Sequence, residues 1–210
     1  MNRARWFAGA IAALACIGLV LSLVLGGEGR PLVQIVVSYV SSFTILTNLI
    51  AAAVLTAIAR DPRQLRRTGL LAATAVYLLI VTLVYLAEFR GALESTGLRA
   101  VPDALIHLVV PLLFCAFWFV CVPKGSLAWT TPFSVLAFPL AYLAYMLTRG
   151  ALTGVYAYPF LDARALGYTK VAENSLALVG VYLVVGIIFT LIDCGLSRFS
   201  RPIDVSAPPA

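Results

Sequence analysis

Pro102-Asp-Ala-Leu-Ile-His-Leu-Val-Val-Pro-Leu-Leu-Phe-Cys-Ala-Phe-Trp-Phe-Val120 is an apolar run with one histidine inside it. Coiled as a helix at about 1.5 Å per residue, such a run crosses most of a bilayer's hydrocarbon layer, roughly 30 Å thick. His107 is the chain's only histidine. Within a span it gives up water and must find polar partners in the protein, so by default it marks a functional site. Few other side chains here exchange a proton near neutral pH.

The rest of the chain reads the same way. Hydrophobic residues make up 62% of the 210 and charged ones 11%, with a mean hydropathy of +1.00. Soluble domains carry roughly 45–50% apolar and about 25% charged residues. The expected fold is therefore all-α: a polytopic membrane protein built as one six-helix transmembrane bundle over residues 1–199. Its apolar segments are 6–25, 32–58, 70–86, 102–122, 133–147 and 175–192. The second is longer than a span needs and should tilt or project from the bilayer. The fifth is short and should start earlier, near Trp129, and Pro139 should kink it. The first follows Arg3 and Arg5, as a signal peptide would, but it is too long for a signal core and no small-x-small site precedes Glu28. The tail 200–210, with Pro202, Pro208 and Pro209, reads as disordered.

Lys and Arg in the loops set the orientation. Arg3, Arg5, Arg60, Arg63, Arg66, Arg67, Lys124, Arg198 and Arg201 share one side, against Arg30, Arg90, Arg99, Arg149, Arg164 and Lys170 on the other. The first set belongs in the cytoplasm, which puts both termini there, and the expected location is a bacterial inner (plasma) membrane. The net charge of +6 is thus a topology signal, scattered over short loops, and nucleic-acid binding is not expected. Cys16, Cys115 and Cys121 lie inside apolar segments and Cys194 at the end of one, as small core residues rather than a disulfide framework. No Cys/His cluster has metal-ligand spacing.

The second segment adds a polar stripe: Ser38-Tyr-Val-Ser-Ser-Phe-Thr-Ile-Leu-Thr-Asn-Leu-Ile50. Ser41, Thr44 and Asn48 stand at i, i+3 and i+7, with Thr47 on nearly the same face, so one helix gathers four polar groups toward the bundle interior. Ordinary helix packing would account for hydroxyls there. The functional account needs a nucleophile and a base: a threonine hydroxyl becomes reactive when a neighbour accepts its proton, and His107 can do that. Depth favours Thr44 over Thr47, because Thr47 lies about a turn deeper. Asp103, at i−4 from His107, either orients the imidazole or caps the helix beside Pro102. Glu88, Asp162 and Tyr85 are further candidates on the same outer face. An oxyanion would need Asn48 or a backbone N–H. The loop 148–174, with Tyr156, Tyr158, Phe160 and Asp162, is the one long connection, either a binding element or an aromatic belt at the interface.

Three motifs resemble those of a known family: Phe43-Thr-Ile-Leu-Thr-Asn-Leu49, His107-Leu-Val-Val-Pro111, and Tyr158-Pro-Phe-Leu-Asp162 with Tyr168 after five more residues. They are similar to those of the bacterial Pr6Pr membrane proteins. That group in turn resembles the eukaryotic androgen-induced-protein family, which includes the androgen-dependent TFPI-regulating protein. The resemblance implies an intramembrane hydrolase of fatty acid esters of hydroxy fatty acids, or similar lipid esters, with a threonine nucleophile and a histidine. Carried over, these are Thr44 and His107. The threonine-to-asparagine and histidine-to-proline spacings each differ by one residue from the eukaryotic pattern, which keeps Thr47 beside Thr44 as nucleophile. The expected partners are a lipid substrate and the bilayer, and no cofactor is expected. A transporter or lipid-binding protein with a small polar cavity and no chemistry is the competing expectation.

Overall fold

Every apolar segment folds as helix. The computed structural model describes residues 2–26, 29, 31–88 and 97–197, and no strand occurs among them. We label the helices α1 (Asn2–Gly26), α2 (Leu32–Val40), α3 (Phe43–Arg60), α4 (Thr68–Glu88), α5 (Gly97–Cys121), α6 (Thr131–Thr153) and α7 (Ala163–Leu196). All but α2 are long and apolar enough to cross a membrane. Their outer surface is apolar too: Trp6, Val20, Val24, Leu112, Val120, Val184 and Leu191 are all exposed. A soluble monomer does not tolerate that much apolar surface, whereas an integral membrane protein turns it to lipid.

The central helix is α4, which touches α3, α5, α6 and α7, while α1 lies along α3. Its small and branched side chains Leu71, Ala72, Ala75, Val76 and Leu78 are fully or almost fully buried. Gly18 of α1 lets Leu105 and Ile106 of α5 come so close that a methyl group there would stand 3.0 Å from the Ile106 side chain. Arg5 donates through Nε to the Ala59 carbonyl (3.0 Å), tying the start of α1 to the end of α3. At the same end of the bundle, the buried Asp193 accepts from the Gly125 and Leu127 amides, both at 2.9 Å. Lys124 caps α5 by donating to the Trp118 carbonyl at 2.6 Å. Burial pulls the Lys124 ammonium below its ordinary pKa, and Asp193 opposes the shift.

Three helix boundaries differ from the sequence expectation, and the fifth segment starts close to where it was expected. The segment 32–58 is two helices, because Ser41 ends α2 and Ser42 turns extended (φ −86°, ψ 126°) to start α3. Ser42 is a natural N-cap, and its hydroxyl accepts from the Ile45 amide at 3.5 Å. The fourth segment starts earlier, at Gly97, and holds a π-helical turn over Leu105–Val109. The fifth starts at Thr131 and breaks at Leu136 rather than at Pro139 itself. Pro139 has no N–H for the Val135 carbonyl one turn back, and the Tyr77 hydroxyl of α4 takes it instead at 2.9 Å. The sixth starts at Ala163, where Asp162 caps the helix by accepting from the Arg164 and Ala165 amides. Gly167 (φ 76°, ψ 154°) bends its first turns.

The long connection 148–174 is therefore only a nine-residue strap, 154–162, between α6 and α7. Gly154 opens it in the left-handed region (φ 73°), its amide closing on the Gly150 carbonyl at 2.8 Å. The tail 200–210, the positions around Glu28 and Glu94, and the side chain of Glu88 lie outside the described residues.

Candidate active site

A cavity of about 420 Å³ opens at the end of the bundle away from Asn2 and Leu196. The start of α3, the end of α4, the first half of α5, α6, the strap and α7 enclose it. Its wall is mostly apolar, with Ile80, Val84, Leu140, Leu143 and Leu178 among the lining residues. Four of its polar residues, Thr44, Tyr85, Asp103 and His107, lie where α3, α4 and α5 meet, while Tyr142, Tyr158, Ser175 and Tyr182 line the rest.

The π turn positions the histidine. In it the Val110 amide reaches back to the Leu105 carbonyl instead of to Ile106. Pro111 has no N–H for the His107 carbonyl four residues before it. Two carbonyls thus lose their usual donors inside an apolar bundle, and side chains of other helices replace them. Asn48 Nδ2 donates to the Ile106 carbonyl at 3.0 Å, and the Thr82 hydroxyl donates to the His107 carbonyl at 2.7 Å. The motif His107-Leu-Val-Val-Pro111 is the sequence trace of this distortion, and π turns often mark functional sites.

Around the imidazole the contacts are directional. His107 Nδ1 stands 3.0 Å from Asp103 Oδ1 and 3.0 Å from the Asp103 carbonyl oxygen. Both neighbours are acceptors, so Nδ1 carries the proton and the neutral ring keeps Nε2 as an acceptor. The Tyr85 hydroxyl donates to the other carboxylate oxygen, Asp103 Oδ2, at 2.7 Å. Its ring stacks on the imidazole, centroids 4.5 Å apart and planes 14° from parallel. A carboxylate, a tyrosine and a helix turn thus fix both tautomer and ring plane.

Of the two roles expected for Asp103, the contacts to His107 and Tyr85 are those of an orienting group. The N-cap position falls on Arg99, and Asp103 sits in the first α-helical turn, one turn before His107. Asp162 does cap a helix and does not line the cavity.

The polar stripe is buried throughout: Ser41 is 1%, Thr44 6%, Thr47 0% and Asn48 0% exposed. Its members divide in role, and it does not run along one helix. Ser41 belongs to the break, its hydroxyl 2.7 Å from the Tyr145 hydroxyl. Thr47 bonds back to the Phe43 and Thr44 carbonyls, both at 3.0 Å, and does not line the cavity. Asn48 spends its amide nitrogen on the Thr44 and Ile106 carbonyls. It also stays out of the cavity, so the expectation of Asn48 as an oxyanion donor is corrected to a structural role. Thr44 alone of the four lines the cavity together with His107. No hydrogen bond joins the Thr44 hydroxyl to His107, nor to any other group among the described residues.

The break at Ser41–Ser42 puts Thr44 in the first turn of α3, where helix amides lack intrahelical partners. The Phe43 amide donates to the Tyr158 hydroxyl of the strap at 3.1 Å. For the Thr44 amide the described residues offer no acceptor. The strap lines the cavity through Ala157, Tyr158, Pro159, Phe160 and Leu161. Asn174 of α7 pins it by donating to the Phe160 carbonyl at 2.9 Å. Among the described residues no His, Cys, Asp and Glu group could hold a metal ion. Comparison with known proteins returns no matching family model, no matching curated protein and no matching solved structure.

Proposed function

We propose that the chain is an intramembrane hydrolase of lipid esters, with Thr44 as nucleophile and His107 as base. One observation carries the reading: an Asp103-oriented imidazole lines the same cavity as a largely buried threonine whose hydroxyl makes no hydrogen bond among the described residues. The motif resemblance to the Pr6Pr and androgen-induced-protein group points the same way. In the first step Thr44 Oγ1 bonds to the ester carbonyl carbon and its proton passes to His107 Nε2. The tetrahedral intermediate collapses, the C–O bond to the alcohol breaks, and the imidazolium returns the proton to the departing alkoxide. Water then cleaves the acyl-threonine by the same route, with His107 again as base. Asp103 and Tyr85 hold the ring in place. The apolar wall suits an acyl chain such as that of a fatty acid ester of a hydroxy fatty acid. By the loop charges, both termini face the cytoplasm of a bacterial inner membrane and the cavity opens toward the outer leaflet.

An acyl-chain fluorophosphonate tests this on purified protein. Wild type and Thr47→Ala become labelled, while Thr44→Ala and His107→Asn do not. Labelling that survives Thr44→Ala, or none on wild type, refutes it. The missing Thr44–His107 hydrogen bond favours a second reading, a lipid-binding membrane protein without chemistry. On that reading, lipid binds and comes off intact, and Thr44→Ala changes only affinity.

A further inference from the structure

We propose that Tyr158 is a catalytic residue of this site, its phenol O–H forming an oxyanion hole together with the Thr44 amide N–H. This rests on the hydrolase reading above. Attack by Thr44 moves an electron pair onto the former carbonyl oxygen. Preorganised donors beside the nucleophile must meet that charge. Asn48 is committed to two carbonyls and lies outside the cavity. The Thr44 amide is suitable: it has no acceptor among the described residues and sits at the positive end of the α3 dipole. Its side chain is buried, 6% exposed, and lines the cavity.

The second donor must reach the same first turn from the cavity wall, and Tyr158 does. Its oxygen accepts the Phe43 amide at 3.1 Å, one residue from the nucleophile. A phenol oxygen that accepts a bond keeps its own O–H, here beside the Tyr142 hydroxyl, which itself donates to the Ser41 carbonyl at 2.8 Å; from there the O–H turns to the substrate's carbonyl oxygen. The ring is fixed by stacking on Phe160 (centroids 5.3 Å, planes 22° apart) and by the edge contact with Tyr142 (6.4 Å). When Thr44 Oγ1 bonds to the carbonyl carbon, the oxyanion lies between the two donors. Neither gives up its proton, and on collapse the electron pair returns to re-form the carbonyl.

A tyrosine that only capped α3 would look similar, so the test separates transition-state stabilisation from folding. Tyr158→Phe keeps the ring and removes the donor. Hydrolysis of a medium-chain p-nitrophenyl ester is measured on the full chain in detergent, with inhibition by an alkyl trifluoromethyl ketone, whose adduct with Thr44 carries the oxyanion. The expected result is a kcat about 100-fold lower, a KM within about 3-fold and a similar loss of inhibitor affinity. A kcat within about 3-fold of wild type, or a change in KM alone, overturns the assignment. Should Tyr158→Phe fail to fold, 3-fluorotyrosine at position 158 keeps the shape and strengthens the donor. At pH 7 it should raise kcat, and an unchanged or lower kcat overturns the proposal. If Thr44→Ala hydrolyses the ester as fast as wild type, the hydrolase reading falls and the oxyanion hole with it. If Thr44→Ala is inactive and Tyr158→Phe unimpaired, only the role of Tyr158 falls.

Discussion

Asn48 and Thr44 stand one helical turn apart and are spent on different tasks. Asn48 satisfies a carbonyl that α5 cannot satisfy itself, so Asn48→Ala should leave the Ile106 oxygen bare in an apolar interior. We expect a loss of about 1–3 kcal/mol, read as a lower melting temperature in detergent. Asp103→Asn should act on rate instead: the amide can present an N–H to Nδ1 and favour the wrong tautomer. A fall in kcat of about 100-fold or more at little change in melting temperature is expected, measured by ester hydrolysis and calorimetry. Unchanged kcat would show that Asp103 does not orient the base. The sequence made His107 and the polar stripe legible, because a polar atom in an apolar text has few innocent places to go. It named Thr44 as nucleophile and Asn48 as a possible oxyanion donor, but it did not show that Asn48 is held out of the cavity. Both face inward, and only the course of the chain decides which of them reaches open space. The sequence offered Asp103 both as orienting group and as cap without deciding, because Pro102 suggested a helix start, while the helix begins upstream.

Among the elements, the two features that build the site are both departures from regular helix. Each has a local cause visible in the sequence, though not its consequence. The Ser41-Ser42 pair ends α2 and begins α3 because serine side chains compete for backbone partners, and this puts Thr44 in a first turn rather than mid-helix. Hydropathy alone reads straight through the pair, since the flanking residues are equally apolar. The π turn follows from Pro111 with side-chain donors on α3 and α4, and nothing in a linear reading of α5 names those donors. Pro111→Ala would supply an N–H to the His107 carbonyl and favour a regular turn. The imidazole would then rotate away from Asp103 and Tyr85. We expect hydrolysis to drop at least about 10-fold while the melting temperature holds or rises. An unaltered rate would mean that the π turn is not needed to aim His107. The sixth span began earlier than hydropathy indicated because Ala163–Asn174 is helical but polar, and an average over apolar character misses such turns.

For the whole molecule, six spanning helices were readable from composition and run length, since hydrocarbon admits few other solutions. Their arrangement around α4 was not, because the apolar text of α4 resembles that of its neighbours. Orientation is checked with single cysteines on a background lacking the four native ones. In intact cells Ala157→Cys should react with a membrane-impermeant maleimide, whereas Ser126→Cys should react only after permeabilisation. The reverse pattern would invert the proposed topology. The central helix has a further consequence. Tyr77 and Thr82, both on α4, donate to carbonyls that Pro139 and Pro111 leave open on α6 and α5. Lipid tails supply no such donor, and each bare carbonyl there costs several kcal/mol. During synthesis α4 leaves the ribosome before either client helix. The nascent bundle thus has its acceptor-seeking hydroxyls in place before the defective spans arrive, and each proline acts as a docking instruction addressed to a partner already in the bilayer.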